Sequence, residues 1–128
     1  MKKIIVLLIC SFLSFSIKAQ SVIGAWEAFS TAENGDKLKS VVIFADGYQV
    51  ISTYNASSGK FIYTNGGTWK LDGDTMTEKI EFDTGNPEAV GTESVFKVMI
   101  TDKEIQIVGS DMKLKRIDNG TPGNLQGA

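Results

Sequence analysis

Apolar and polar residues alternate with a period of two in short runs along residues 26–117. Such alternation is typical of half-buried β-strands. Residues 41–44 and 48–51 are two short runs rich in apolar residues, on either side of Asp46 and Gly47. Glycine readily takes the positive φ that a tight turn requires, so these two runs are expected to form a hairpin. No stretch in this region has the apolar spacing of an α-helix, and the pattern therefore predicts an all-β fold.

Turn-forming residues recur at intervals of roughly 8 to 12 residues, as expected for antiparallel hairpins. We therefore predict a single antiparallel up-and-down β-barrel of about eight or nine short strands. The predicted turns are Asn34-Gly35-Asp36, Asp46-Gly47, Ser58-Gly59, Asn65-Gly66-Gly67, Asp72-Gly73-Asp74, Gly85-Asn86-Pro87, Thr101-Asp102-Lys103 and Gly109-Ser110-Asp111.

The alternation also assigns side chains to the inner or outer face of the barrel. One run is expected to turn a mainly apolar set inward with a single acid among them, namely Met76, Glu78, Ile80 and Phe82. In the last run, Arg116 lies on the same face as Met112 and Leu114. Two charged side chains are thus expected on the core face.

The two ends of the chain differ from the predicted barrel, residues 20–117. Residues 1–19 have a basic start and a long apolar run, which is typical of a secretory signal peptide cleaved before Gln20. We expect an exported protein, periplasmic or extracellular. Cys10 lies inside the apolar run, which argues against lipidation. Residues 118–128 are rich in glycine and poor in apolar residues, and are predicted to be a flexible tail.

Composition excludes most enzyme classes. Removal of the signal peptide leaves 10 basic against 15 acidic residues, a formal charge of −5, so nucleic acid is an unexpected partner. The sequence has no histidine, and its single cysteine is Cys10. The mature chain therefore lacks the commonest general base, a thiolate nucleophile and the usual zinc ligands. We expect a protein that is not an enzyme, with no metal, no cofactor and no membrane span in the mature chain.

Several motifs together resemble those of lipocalin-like (calycin) barrels. Gly24-Ala25-Trp26 opens the first predicted strand, and the inward Arg116 ends the last. The run from Gly66 to Phe96 is similar to that of small secreted bacterial lipocalin-like proteins of unassigned activity. The resemblance spans most of residues 22–117. It departs from lipocalins proper, because neither their threonine-aspartate-aromatic turn nor their packed helix is visible.

The resemblance implies structural roles for Trp26 and Arg116. Trp26 is expected to plug one end of the barrel, with the guanidinium of Arg116 over its indole face; generic core packing is the alternative for Trp26. Glu78 has two interpretations. In the functional one it anchors the polar head of a ligand. In the structural one it forms an ion pair, with Arg116 as the candidate partner, or a register bulge turns it outward. The structural interpretation is favoured, because inward charges in small barrels are more often satisfied structurally.

Aromatic residues supply the remaining candidates for a binding site. Together with Glu78, the residues expected to line a ligand cavity are Tyr48, Tyr54, Tyr63, Trp69 and Phe96. They would offer apolar faces and, in the tyrosines, hydroxyl groups. The alternative is that these side chains fill the interior completely.

These observations favour a non-enzymatic binder of a small hydrophobic or amphipathic molecule. The alternative is an envelope or extracellular protein-interaction or inhibitor module with a solid core. An interior cavity of several hundred cubic ångströms would favour the binder.

Overall fold

The computed structural model describes residues 21–118, in which eight antiparallel strands follow one another and close into a barrel. The all-β, up-and-down prediction is confirmed. The strands are β1 (Gly24–Thr31), β2 (Lys37–Phe44), β3 (Tyr48–Asn55), β4 (Phe61–Asp72), β5 (Thr75–Asp83), β6 (Glu93–Ile100), β7 (Glu104–Ile107) and β8 (Lys113–Arg116). A 3₁₀ turn at Pro87–Ala89 precedes β6. The predicted signal peptide lies outside the described residues, as does the predicted tail beyond Asp118.

The connections between strands fall where turn-forming residues were predicted, with one exception described below. The hairpin at Asp46-Gly47 joins β2 to β3, and its register places Phe44 opposite Gln49. Gly47 has a φ of +80°, a region that side chains with a Cβ rarely enter. The chemistry of this turn therefore sets the register of β2 against β3.

The predicted turn at Asn65-Gly66-Gly67 is wrong, because these residues lie inside β4. The two glycines are needed for close approach of neighbouring strands instead. A Cβ on Gly66 would lie 2.8 Å from Cζ of Phe82. A Cβ on Gly67 would overlap the carbonyl oxygen of Lys79. Only glycine leaves room for these contacts.

A β-bulge accompanies the two glycines. Gly67 pairs with Ile80 but Gly66 pairs with Phe82, so Glu81 is an extra residue on β5. A bulge turns the following side chains to the opposite face. The predicted inward position of Phe82 is therefore wrong; its side chain is on the outer face and 42% exposed.

The hydrophobic core fills one end of the barrel, where β1 and β3 begin and β2 and β4 end. Trp69 donates its indole N–H to the carbonyls of Ala45 and Tyr48, at 2.8 and 3.0 Å. Its ring meets that of Phe44 edge to face, with centroids 5.3 Å apart. The buried cluster comprises Val22, Trp26, Val42, Phe44, Trp69, Met76, Val98, Ile105 and Leu114. This end, which we call the closed end, is filled by side chains.

At the end of the barrel opposite the closed end, the wall is shorter on the side formed by β7 and β8. β7 and β8 have four residues each, whereas β1 to β5 have between eight and 12. β8 pairs with β1 only at Trp26 and Glu27, and β6 pairs with β7 only from Val98 to Ile100. The first half of β6 therefore extends beyond β7, and the last half of β1 extends beyond β8. The gap in the wall between β6 and β1 is called the notch. Among residues 21–118, no helix is long and apolar enough to cross a membrane.

Candidate functional site

The closed end is capped by Arg116. Its guanidinium carbon lies 4.2 Å from the ring centroid of Trp26, and its side chain is only 6% exposed. Trp26 is fully buried and donates its indole N–H to the carbonyl of Val22 at 2.9 Å. The structure thus brings together the tryptophan and arginine that the sequence placed at opposite ends of the chain, in cation–π geometry.

The remaining donors of Arg116 link the segment before β1, the β6–β7 turn and the residue Asp118 that follows β8. The guanidinium donates to the backbone carbonyls of Ser21, Ile23 and Asp102, the last from Nε at 2.6 Å. It also pairs with Asp118 at 3.1 Å. Asp118 in turn accepts the N–H of Ala25 at 3.0 Å. Arg116 is therefore a structural clamp whose charge is neutralised by Asp118, the residue at which the flexible tail was predicted to begin.

The favoured ion pair between Arg116 and Glu78 is not formed. Arg116 faces the strand ends and Asp118, whereas Glu78 faces the barrel interior. The prediction that Glu78 forms a structural ion pair with Arg116 is therefore wrong. The reason is that β8 is short and its last residue lies at the rim, where three backbone carbonyls, from the segment before β1 and from the β6–β7 turn, surround the guanidinium.

Two adjoining chambers lie in the rest of the interior. The inner chamber has a volume of about 270 Å³, and its apolar wall includes Val42, Phe44, Ile51, Ile80, Phe96 and Leu114. The outer chamber has a volume of about 330 Å³ and is lined by residues that include Ala28, Leu38, Ser40, Thr53, Tyr63 and Asp111.

Ile51, Met112 and Leu114 line both chambers, so the two spaces adjoin each other. Met112 is 49% exposed and Ser94 of the inner chamber is also exposed, so the interior opens to solvent beside the notch. Each chamber has a volume near the lower end of the range for small-molecule sites. The interior is therefore accessible and not solid.

Glu78 is the only titratable residue among those that line the inner chamber. Its strand partners are Trp69 on β4 and Ser94 on β6, neither of which carries a charge. Burial raises the pKa of Glu78 from 4.5 to about 7, because desolvation disfavours the carboxylate and no cation compensates. The carboxyl group therefore changes its protonation state near neutral pH.

Gln49 is a second polar residue of this chamber, and the sequence analysis did not single it out. It is 5% exposed, and its Nε2 has no hydrogen-bond partner among the described residues. A buried amide donor without an acceptor is costly. The available signal was periodicity: Gln49 shares the inward face of β3 with Ile51 and Thr53.

Of the six predicted binding residues, four lie on the inward face of the barrel. Glu78 and Phe96 line the inner chamber, and Tyr63 lines the outer one. Trp69 packs in the closed end, 7% exposed, and lines neither chamber. These positions follow the alternation expected of each strand.

Tyr48 and Tyr54 were predicted to line the cavity, and this is wrong. Because Gln49, Ile51 and Thr53 take the inward positions of β3, both tyrosines fall on its outer face. Tyr48 is 60% exposed and borders a shallow outer groove of about 210 Å³ together with Phe82. Tyr54 lies opposite Lys39 of β2, whose ammonium pairs with Glu27 at 3.0 Å.

Within residues 21–118, no group of three or more His, Cys, Asp or Glu side chains is placed to hold a metal ion. The polar groups of the inner chamber are instead a carboxyl, two amides and a hydroxyl, from Glu78, Gln49, Asn65 and Ser94. Such groups can hydrogen-bond to the polar part of an organic molecule.

No protein-family model matches the chain, and no curated protein matches it significantly. Among solved structures, it is similar to an uncharacterised protein from Bacteroides eggerthii DSM 20697. The two share 20% sequence identity with a TM-score of 0.49, over 73% of this chain and 98% of the other. This similarity supports no conclusion about function.

Proposed function

We propose that this protein is an exported, lipocalin-like binder of a small hydrophobic or amphipathic molecule, which it holds inside the barrel without transforming it. The observation that carries the proposal is the pair of adjoining chambers, about 270 and 330 Å³, behind an opening beside the notch. Apolar walls with a few polar groups are the usual composition of a small-molecule site.

The open interior distinguishes this proposal from its alternative. A protein-interaction or inhibitor module was expected to have a solid core, with all aromatic side chains used as filling. Here the buried aromatic side chains among residues 21–118 are Trp26, Phe44 and Trp69, which belong to the core cluster at the closed end. The volume beyond them is of the size that favours a binder.

The non-enzymatic part of the proposal rests on side-chain chemistry. Glu78 is the single acid of the inner chamber, and the residues lining it include no nucleophile other than the hydroxyl of Ser94. Ser94 is not accompanied by a histidine, since the sequence has none. A lone carboxyl group and an unactivated hydroxyl are suited to hydrogen bonding with a ligand.

Export is proposed from the amino-terminal sequence, residues 1–19. Mass determination of the amino terminus of exported material tests this part separately. Mature protein that begins at or near Gln20 and has no thiol would support it. A chain that retains Cys10, with or without a lipid, would contradict it.

The binding proposal is tested by narrowing the opening. Met112 lines both chambers and is 49% exposed, so a tryptophan at this position should obstruct them without disturbing the closed end. Met99, which is 61% exposed on β6 and lines neither chamber, gives the matched control.

Binding is measured by thermal shift and by displacement of an environment-sensitive dye, across a panel of hydrophobic metabolites. We expect wild-type affinities in the micromolar range, a melting temperature that rises with ligand concentration, and about tenfold weaker binding in Met112→Trp. Met99→Trp should bind as the wild type does. Equal binding by both variants, or no binding by the wild type, would contradict the proposal.

A further inference from the structure

The described residues that line the inner chamber include one acidic side chain, Glu78, and no basic side chain. No lysine or arginine is found among the described residues that line either chamber, and Arg116 is committed to Asp118 and to backbone carbonyls. Glu78 itself forms no hydrogen bond or ion pair with the described residues. A carboxyl group in this setting is left with a desolvation penalty that the protein does not offset.

Because Glu78 has no compensating cation in the inner chamber, the chamber should bind ligands with different polar head groups unequally. A carboxylate ligand would bring a second negative charge next to Glu78, with no cation to compensate, so only a protonated Glu78 could accept it. A pure hydrocarbon would leave both Glu78 and Gln49 without partners. An ammonium group would neutralise Glu78 and form charge-assisted hydrogen bonds with it.

We propose that the ligand is a lipophilic amine, whose ammonium group pairs with Glu78 in the inner chamber and whose apolar body contacts Phe96, Ile80 and Leu114. This inference rests on the proposed function and names the class of its ligand. Phe44 and Phe96 also line the chamber and place aromatic rings where a cation is attracted.

Gln49 adds a separate preference. Its Nε2 is a buried donor that needs an acceptor, which an ammonium group cannot supply. A hydroxyl or carbonyl oxygen on the ligand can accept this hydrogen bond. We therefore expect Gln49 to contribute to the binding of oxygen-containing ligands and to contribute less to that of simple amines.

The pairing with Glu78 makes amine binding depend on pH. Alkylamines remain protonated throughout the neutral range, whereas Glu78, with its pKa raised to about 7, loses its charge as the pH falls. The other lining residues of the inner chamber are not titratable, and Asp111 and Tyr63 lie in the outer chamber. Amine binding should weaken about tenfold or more between about pH 8 and about pH 5.5.

The test uses octylamine, octanol and octanoate, which share one chain and differ in their heads, with the full mature protein and isothermal calorimetry. We expect octylamine to bind about tenfold or more tightly than octanol near pH 8, and octanoate to bind most weakly. Octanoate should gain affinity as the pH falls, the reverse of octylamine.

Two matched variants locate the interaction. Glu78→Gln should reduce octylamine affinity about tenfold or more, abolish its pH dependence and leave octanol binding nearly unchanged. Glu81→Gln removes an exposed acid on the same strand, which borders the outer groove, and should change nothing. Gln49→Met should weaken octanol more than octylamine.

The outcomes separate this inference from the proposed function. If octanol or octanoate binds and octylamine binds no better, the amine assignment is overturned while the binder remains. If octylamine affinity is lost in Glu81→Gln and kept in Glu78→Gln, the site is the outer groove and the inference is also overturned. If none of the three binds, the proposed function fails as well.

Discussion

At the scale of single residues, two inward charges have opposite environments. Arg116 is surrounded by four oxygen acceptors and a ring, and its charge is balanced by Asp118. Glu78 has an apolar chamber and no partner among the described residues. A satisfied charge stabilises the fold, whereas an unsatisfied one destabilises it and is available to a ligand. The contrast supports a structural role for Arg116 and, within the proposed function, a role in ligand recognition for Glu78.

The isolation of Glu78 predicts an unusual pH dependence of stability. Its pKa is raised from 4.5 to about 7 in the folded chain, so the folded state binds the proton more tightly than the unfolded state does. The resulting stabilisation is complete below about pH 4.5 and is lost as the pH rises past about 7. We expect this group to lower the free energy of unfolding by about 3 kcal/mol over that range.

Glu78→Gln isolates this contribution, because the amide is neutral at every pH. Urea unfolding between about pH 5 and pH 8 should show the variant gaining stability relative to the wild type as the pH rises. Parallel curves for the two proteins, or a variant that is less stable than the wild type near pH 8, would show that Glu78 has a structural partner.

At the scale of elements, the β4–β5 pair decides which side chains reach the interior. Periodicity alone predicted the inward positions of Met76, Glu78 and Ile80, because alternation is uninterrupted up to that point. It failed for Phe82, since the bulge at Glu81 depends on the close backbone approach of Gly67 to β5, which side-chain alternation does not encode. The same contacts explain why Gly66 and Gly67, which look like a turn, lie within β4.

A substitution at Gly67 tests the close approach. A Cβ there would overlap the carbonyl oxygen of Lys79, a backbone atom that cannot move without breaking the pairing of β4 with β5. We expect Gly67→Ala to lower the free energy of unfolding by about 2 kcal/mol or more. Lys70→Ala, on the same strand and exposed, should change it by less than about 0.5 kcal/mol. Chemical denaturation measures both, and an unaffected Gly67→Ala protein would contradict the bulge.

The binding site shows the limits of sequence reasoning more clearly than the strands do. Glu78, Phe96 and Tyr63 were predicted because they combine suitable chemistry with inward spacing. Tyr48 and Tyr54 have side chains suited to a binding site but lie at outward positions of β3. Gln49 lies at an inward position, but nothing in the sequence marks its side chain as a binding group. An unpartnered amide is recognisable only after the packing around it is known.

At the scale of the whole molecule, the packed core and the open volume of the barrel lie at opposite ends of its axis. Trp26, Trp69 and Arg116 fill and cap the closed end, where the large buried side chains and the clamped termini lie. The opposite end has a low wall at β7 and β8 and retains open volume beneath it. One end can therefore be packed to native density while the other stays accessible to a ligand.

The most direct test of this account is methyl NMR of the mature protein during titration with octylamine near pH 8. We predict shifts concentrated on Ile51, Ile80 and Leu114, which line the inner chamber, with Ile43 and Val50 of the outer groove unaffected. Shifts confined to Ile43 and Val50, or no shifts at saturating amine, would contradict the claim that the barrel interior is the binding site.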